Sequence, residues 1–161
     1  MRTQRILLLE DDSGVSESMS VGLFPHKVDP VDNLTSFNFL LYKLPGVKSY
    51  DLVLMDLYFR IPSRVLEKFC ARVPEMPKEP CCKVHNIALF GLDYFVSKVL
   101  THPDTGDIAK DKFVLFSGHT RLIRAEKLFE KHDIQFPHDR LLDKADDHFY
   151  DKLNGFIKMP D

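Results

Sequence analysis

The stretch Ile6-Leu7-Leu8-Leu9-Glu10-Asp11-Asp12-Ser13-Gly14 governs the reading of the whole chain. Its four consecutive apolar residues describe a strand covered on both faces, because a strand with one wet face alternates apolar and polar residues. An acidic cluster cuts the run off. Val15 to Phe24 then follows with helical spacing, placing Val15, Met19, Gly22 and Leu23 on one side before Pro25 stops it. A buried strand, an acidic turn and an amphipathic helix open a parallel α/β unit.

The same sentence structure recurs outward from it. Leu52-Val53-Leu54-Met55 ends at Asp56, Phe113-Val114-Leu115-Phe116 ends at Ser117-Gly118, and Arg140-Leu141-Leu142 ends at Asp143-Lys144. Lys27 to Val31 is a weaker strand, since Pro30 cannot donate to a ladder on both sides. Helical spacing marks Leu34–Leu44, Ile87–Leu100, Arg121–Lys131 and His148–Ile157. Strands alternating with helices predict a doubly wound α/β domain, with a parallel sheet and helices on both faces. Right-handed crossovers put every strand's C-terminus on one edge. The stretch from Tyr58 to Val84 has another character: it carries Pro62, Pro74, Pro77, Pro80 and all the cysteines. We read residues 59–86 as an insertion between the third strand and the third helix of a single domain spanning 1–161, with the prolines as a stiff linker.

Composition narrows the function classes. A chain of 161 residues, 44% hydrophobic and 29% charged, is long enough to bury one core without disulfides. Its 22 Lys and Arg against 24 Asp and Glu leave no basic excess, so no nucleic-acid partner is expected. Three cysteines do not make a secreted disulfide framework, and the first apolar run is too short for a signal peptide or membrane span. A cytoplasmic location and no membrane partner are the expectation.

In an open α/β sheet, ligands bind beyond the carboxyl ends of the strands. There the topology collects Glu10, Asp11, Asp56, Ser117 and Lys144 from distant parts of the chain. Like charges about 4 Å apart repel by about 4 kcal/mol at an effective dielectric near 20, so the acids call for a divalent cation. All-oxygen ligation suits Mg²⁺. Taken singly, each residue has a plainer reading: helix-entry acids, a turn aspartate, an N-cap serine, a surface lysine.

In this order and at these strand ends, the segments Leu7–Asp12, Leu52–Leu57, Val114–His119 and Leu142–Lys144 resemble the receiver domains of two-component response regulators. Gly91-Leu92-Asp93-Tyr94-Phe95 is similar to the opening of that family's third helix. The resemblance implies a flavodoxin-like, five-stranded parallel sheet of order 2-1-3-4-5. It makes Asp56 the phosphoacceptor and places Mg²⁺ on Asp11, Asp56 and the backbone carbonyl of Tyr58, with Glu10 holding metal-bound water. Ser117 and Lys144 then contact phosphoryl oxygens, and Tyr58 and His119 flank the pocket as modulators of phosphoryl lifetime. The implied partners are a histidine kinase or histidine phosphotransfer protein and a downstream protein target, with no catalysis beyond the chain's own phosphorylation and dephosphorylation.

The chain also departs from the family pattern. Leu57-Tyr58-Phe59-Arg60 replaces the usual Pro- and Gly-containing loop, Ala145 stands where a proline often follows the lysine, and Leu141 occupies the place of a switch aromatic. These departures keep a second reading open, a phosphorylation-independent interaction module on the same fold. A phosphatase of the haloacid dehalogenase kind needs an acid two residues after its nucleophile, where Tyr58 stands. Cys70, Cys81, Cys82 and His85 could ligate zinc, but adjacent cysteines are poor zinc geometry and packed or free thiols are favoured. Arg60, Arg64, Lys68 and Arg72 form a candidate basic lid or docking surface that selects the partner kinase.

Overall fold

The computed structural model describes residues 2–72, 82–118, 129, 130 and 133–157, with the backbone alone for 82–86. Five parallel strands, β1 (Arg5–Leu9), β2 (Lys27–Val31), β3 (Leu52–Asp56), β4 (Phe113–Ser117) and β5 (Leu141–Asp143), form one sheet in the order β2-β1-β3-β4-β5. This is the flavodoxin-like, doubly wound order expected from the sequence.

Each apolar strand run feeds two cores because successive side chains point to opposite faces. Ile6, Leu8, Leu52, Leu54, Val114, Phe116 and Leu142 pack with Met19 of α1 (Ser13–Gly22), with its C-cap Leu23, and with Phe149, Leu153 and Ile157 from the C-terminal helix Phe149–Ile157. Leu7, Leu9, Val53, Met55, Phe113 and Leu115 face the other way, toward Phe37 and Leu41 of α2 (Leu34–Tyr42) and Ala88, Leu92 and Phe95. β2 pairs only with β1, so its Pro30 sits on an edge where a missing N–H costs no ladder bond. Asp12 and Asn33 cap α1 and α2, accepting from the N–H groups of Val15 at 3.0 Å and Ser36 at 2.8 Å.

The region after β3 begins with regular structure. It contains a helix, α3 (Ser63–Arg72), whose Leu66 and Phe69 are buried against Ile87 and Phe90. The Phe69 and Phe90 rings meet edge-on with centroids 5.2 Å apart. The next helix, α4 (Cys82–Tyr94), begins before the expected Ile87 and passes into a π-helical turn at Phe95–Val99. A short helix, α5 (Ala109–Lys112), leads into β4, and Phe149–Ile157 is α6. Cys70 is a half-buried free thiol packed beside Leu66 and Phe69. Cys81, the side chains of Cys82 and His85, the three linker prolines after α3, and most of the helix expected at Arg121–Lys131 lie outside the described residues.

Gly91 allows α4 to approach β3. A Cβ built there lies 2.2 Å from the Leu57 carbonyl oxygen and 2.9 Å from that residue's Cα, inside any tolerable contact. Gly91→Ala is therefore expected to destabilise the fold by about 2 kcal/mol despite alanine's better helix propensity, because the neighbour is backbone and must move. A urea titration should show the midpoint falling; an unchanged or higher midpoint would mean that the two segments separate freely.

Candidate metal centre

The residues following the strands are held by the ladders themselves. The Glu10 N–H donates to the Val31 carbonyl at 3.0 Å, the Leu57 N–H to the Phe116 carbonyl at 2.9 Å, and the Lys144 N–H to the Ser117 carbonyl at 3.1 Å. Each bond carries the parallel pairing past the end of a strand. Side chains that begin at these positions therefore leave the same sheet edge with little freedom.

They converge. Lys144 Nζ donates to Asp56 Oδ2 and to Glu10 Oε2, each at 2.6 Å. The free oxygens are also engaged: Asp56 Oδ1 accepts from the Tyr58 N–H at 2.9 Å, and Glu10 Oε1 from the Asp12 N–H at 3.0 Å. Glu10 is 3% exposed and Asp56 1%, whereas Lys144 lies half-buried with its Nζ 5.1 Å from the Phe116 ring centroid. Ser117 is fully buried at the end of β4. Asp11 is half-buried and accepts from the backbone N–H of Arg60, across from the loop that follows β3.

Electrostatics follow from this burial. Desolvation pushes the Asp56 carboxyl up to about 7 against the pull of the Lys144 ammonium, and Glu10 adds to the rise. Burial raises Asp11 too, and the Glu10 charge reinforces it. For Lys144, burial acts to lower the ammonium, but Asp56 and Glu10 together lift it above its ordinary value. The ammonium is thus the counter-charge that lets two buried carboxylates coexist.

Glu10, Asp11 and Asp56 each offer an oxygen within 4.8 Å of the others. This hard, all-oxygen set open to solvent on one side fits Mg²⁺, which takes one or two carboxylates and keeps several waters. The geometry joins Glu10, Asp11, Asp56 and Lys144 directly, and it sets Ser117 and Tyr58 on their backbone neighbours. Arg60, read in the sequence only as part of a basic lid, supplies a backbone contact to Asp11, and the Phe116 ring lies beside the ammonium. Neither had a sequence signal, since an amide and a ring face carry no motif. His119 lies outside the described residues.

The departures from the family pattern have local explanations. The Ala145 N–H donates to Asp143 Oδ1 at 2.9 Å, a bond that a proline would abolish, and the Lys144–Ala145 peptide is trans. Leu141 packs half-buried against the core that contains Phe95 and Phe113, which leaves no aromatic to swing at that position.

No family profile and no curated protein sequence matches the chain. Among solved structures, the non-phosphorylated HemR receiver domain from Leptospira biflexa superposes with a TM-score of 0.50 at 15% identity, covering 99% of this chain and 98% of that one. The bacteriophytochrome response regulator AtBRR superposes with a TM-score of 0.54 at 15% identity, covering 98% of this chain and 92% of that one. The chain has the receiver fold over essentially its full length. Among the described residues, no helix is long and apolar enough to cross a membrane.

The raised Asp56 value sets the sign of a stability effect. Between the ordinary carboxyl value of 3.8 and about 7, the folded state holds a proton that the unfolded chain has released. Stability contributed by this group is present below that window and is lost as pH rises through it. Asp56→Asn should therefore raise the metal-free Tm at pH 8, with the gain shrinking as pH falls toward 4. Conversely, Lys144→Met strips the counter-charge from two buried acids and should cost about 3 kcal/mol near neutral pH. Urea melts of both variants across pH test the pair; a destabilised Asp56→Asn at pH 8 would reverse the assignment.

Proposed function

We propose that this chain is a phosphoacceptor receiver in two-component signalling, accepting a phosphoryl group on Asp56 from a histidine kinase or histidine phosphotransfer protein. The observation that carries the reading is the contact of Lys144 with both Asp56 and Glu10, beside Asp11, on the sheet edge where this fold collects its functional groups. Asp56 supplies a carboxylate oxygen as nucleophile toward phosphorus, yielding an acyl phosphate while the donor imidazole leaves.

Asp11, Asp56 and the Tyr58 carbonyl are the residues that would hold Mg²⁺, with Glu10 positioning its water. When bound, the ion supplies compensation for charge on the transferring phosphoryl group. The protein does the remainder. The Tyr58 N–H orients Asp56 through Oδ1, leaving Oδ2 as the oxygen that Lys144 now holds. Phosphorylation exchanges that contact for one from Lys144 to a phosphoryl oxygen, a charge-assisted bond, and the Ser117 hydroxyl takes another. Because Lys144 and Ser117 are bonded backbone to backbone, movement at one is transmitted to the other, and thus between β4 and β5. Altered surface at those strands is what a downstream protein reads. The role is signalling through protein contact, in the cytoplasm, rather than turnover of a separate substrate.

A second reading, a phosphorylation-independent interaction module, has one observation in its favour: Lys144 already closes an ion-paired triad without any added group. The two readings separate on Asp56. With Mg²⁺ and acetyl phosphate, mass spectrometry should find one added phosphoryl group on Asp56, and beryllofluoride should shift the amide signals of residues 56–58, 117 and 144. Asp56→Asn should abolish both responses. An unmodified wild-type chain under these conditions would leave the binding-module reading in its place.

A further inference from the structure

The helix that follows β3 leaves a surface with no role in the pocket. α3 buries Leu66 and Phe69 and exposes Arg64, Val65, Lys68 and Arg72. At 3.6 residues per turn, Val65, Lys68 and Arg72 share one face, with Arg64 bordering it and Glu67 turned away. Among the described residues, none of Arg64, Lys68 and Arg72 makes an ion pair. Like charges spaced at i, i+4 and i+8 weaken a helix rather than support it, so stability does not account for this stripe.

Beside it lies a groove of about 540 Å³, lined by Leu34, Arg60, Ile61, Pro62, Val65 and Phe90. Its lining is mostly apolar, and Val65, on its wall, is 42% exposed. Arg60 is the charged residue of this lining, and Arg64, Lys68 and Arg72 lie on the helix that carries Val65. A concave apolar site with a cationic helix beside it is complementary to an amphipathic segment with apolar anchors and flanking carboxylates. Nucleic acid fits less well, because the groove lining is mostly apolar and offers few partners for a phosphate backbone.

We propose that the α3 face and this groove dock an acidic amphipathic segment of a partner protein, with Val65, Ile61 and Phe90 receiving its apolar side chains and Arg64, Lys68 and Arg72 its carboxylates. The surface stands whether or not Asp56 accepts a phosphoryl group. Arg60 joins the two: its side chain lines the groove and its backbone N–H holds Asp11, so a docked segment sits one residue from the pocket.

The test is fluorescence anisotropy with the full chain, without phosphoryl donor. The probe is a labelled helical peptide carrying Leu and Phe on one face and Glu on the other. Saturable binding is expected, weakening as salt rises. It should weaken roughly tenfold for the same peptide with Gln in place of Glu, and by a similar factor for Arg64→Glu with Lys68→Glu. Lys68→Arg should bind as wild type, and Val65→Asp should lose binding with an unchanged melting curve. Salt and the Gln peptide act on the wild-type chain, so the test survives a variant that fails to fold. Absence of saturable binding, equal binding of the Glu and Gln peptides, or preference for a duplex oligonucleotide would overturn the proposal.

Discussion

Two carboxylates buried at the rim of an otherwise apolar sheet share a single ammonium, and the arrangement of the site depends on that sharing. Glu10 and Asp56 are nearly inaccessible, and each would be costly to hold as an isolated anion at its depth. Lys144 reaches both at 2.6 Å from the end of the edge strand β5, three places from β1 and two from β3 in the sheet. The remaining carboxylate oxygens are occupied by the Tyr58 and Asp12 N–H groups. Every oxygen of the two anions is thereby engaged.

The rest of the molecule serves to keep that edge in register. The sheet is buried on both faces, so a slip of one residue would exchange its two cores and misplace every side chain at the rim. The ladder bonds that extend past β1, β3 and β5 anchor Glu10, Leu57 and Lys144 to their neighbours. Gly91 lets α4 lie against Leu57 from the far side of the loop. The segment between Asp56 and Arg60 is therefore gripped by β4, by α4 and by Asp11, although it lacks the proline and glycine that the family usually places there.

At 15% identity the structural neighbours establish architecture, and the chemistry must be argued from side chains. The local departures are instructive in that respect. Ala145 uses its N–H to close a turn on Asp143, and Leu141 is committed to the core. The α3 helix shapes the surface beyond Arg60, and the sheet keeps the order β2-β1-β3-β4-β5.

The apolar runs at residues 6–9, 52–55 and 113–116 by themselves determined a parallel sheet covered on both sides, because unbroken hydrophobicity has no other use at strand length. Their abrupt polar ends determined which residues would meet, since parallel crossovers deliver all those ends to one edge. α3 was also legible, in the helical spacing of Leu66, Phe69 and Cys70, but the prolines that follow it in the sequence drew attention to a linker. What only tertiary structure decided was partnership. That Lys144 bridges Glu10 and Asp56, that the Arg60 amide holds Asp11, and that Gly91 meets the Leu57 backbone are contacts across 34 to 134 positions of chain. Sequence encodes such contacts only through the packing that brings the segments together, and backbone amides, which do much of the holding here, carry no residue type to read.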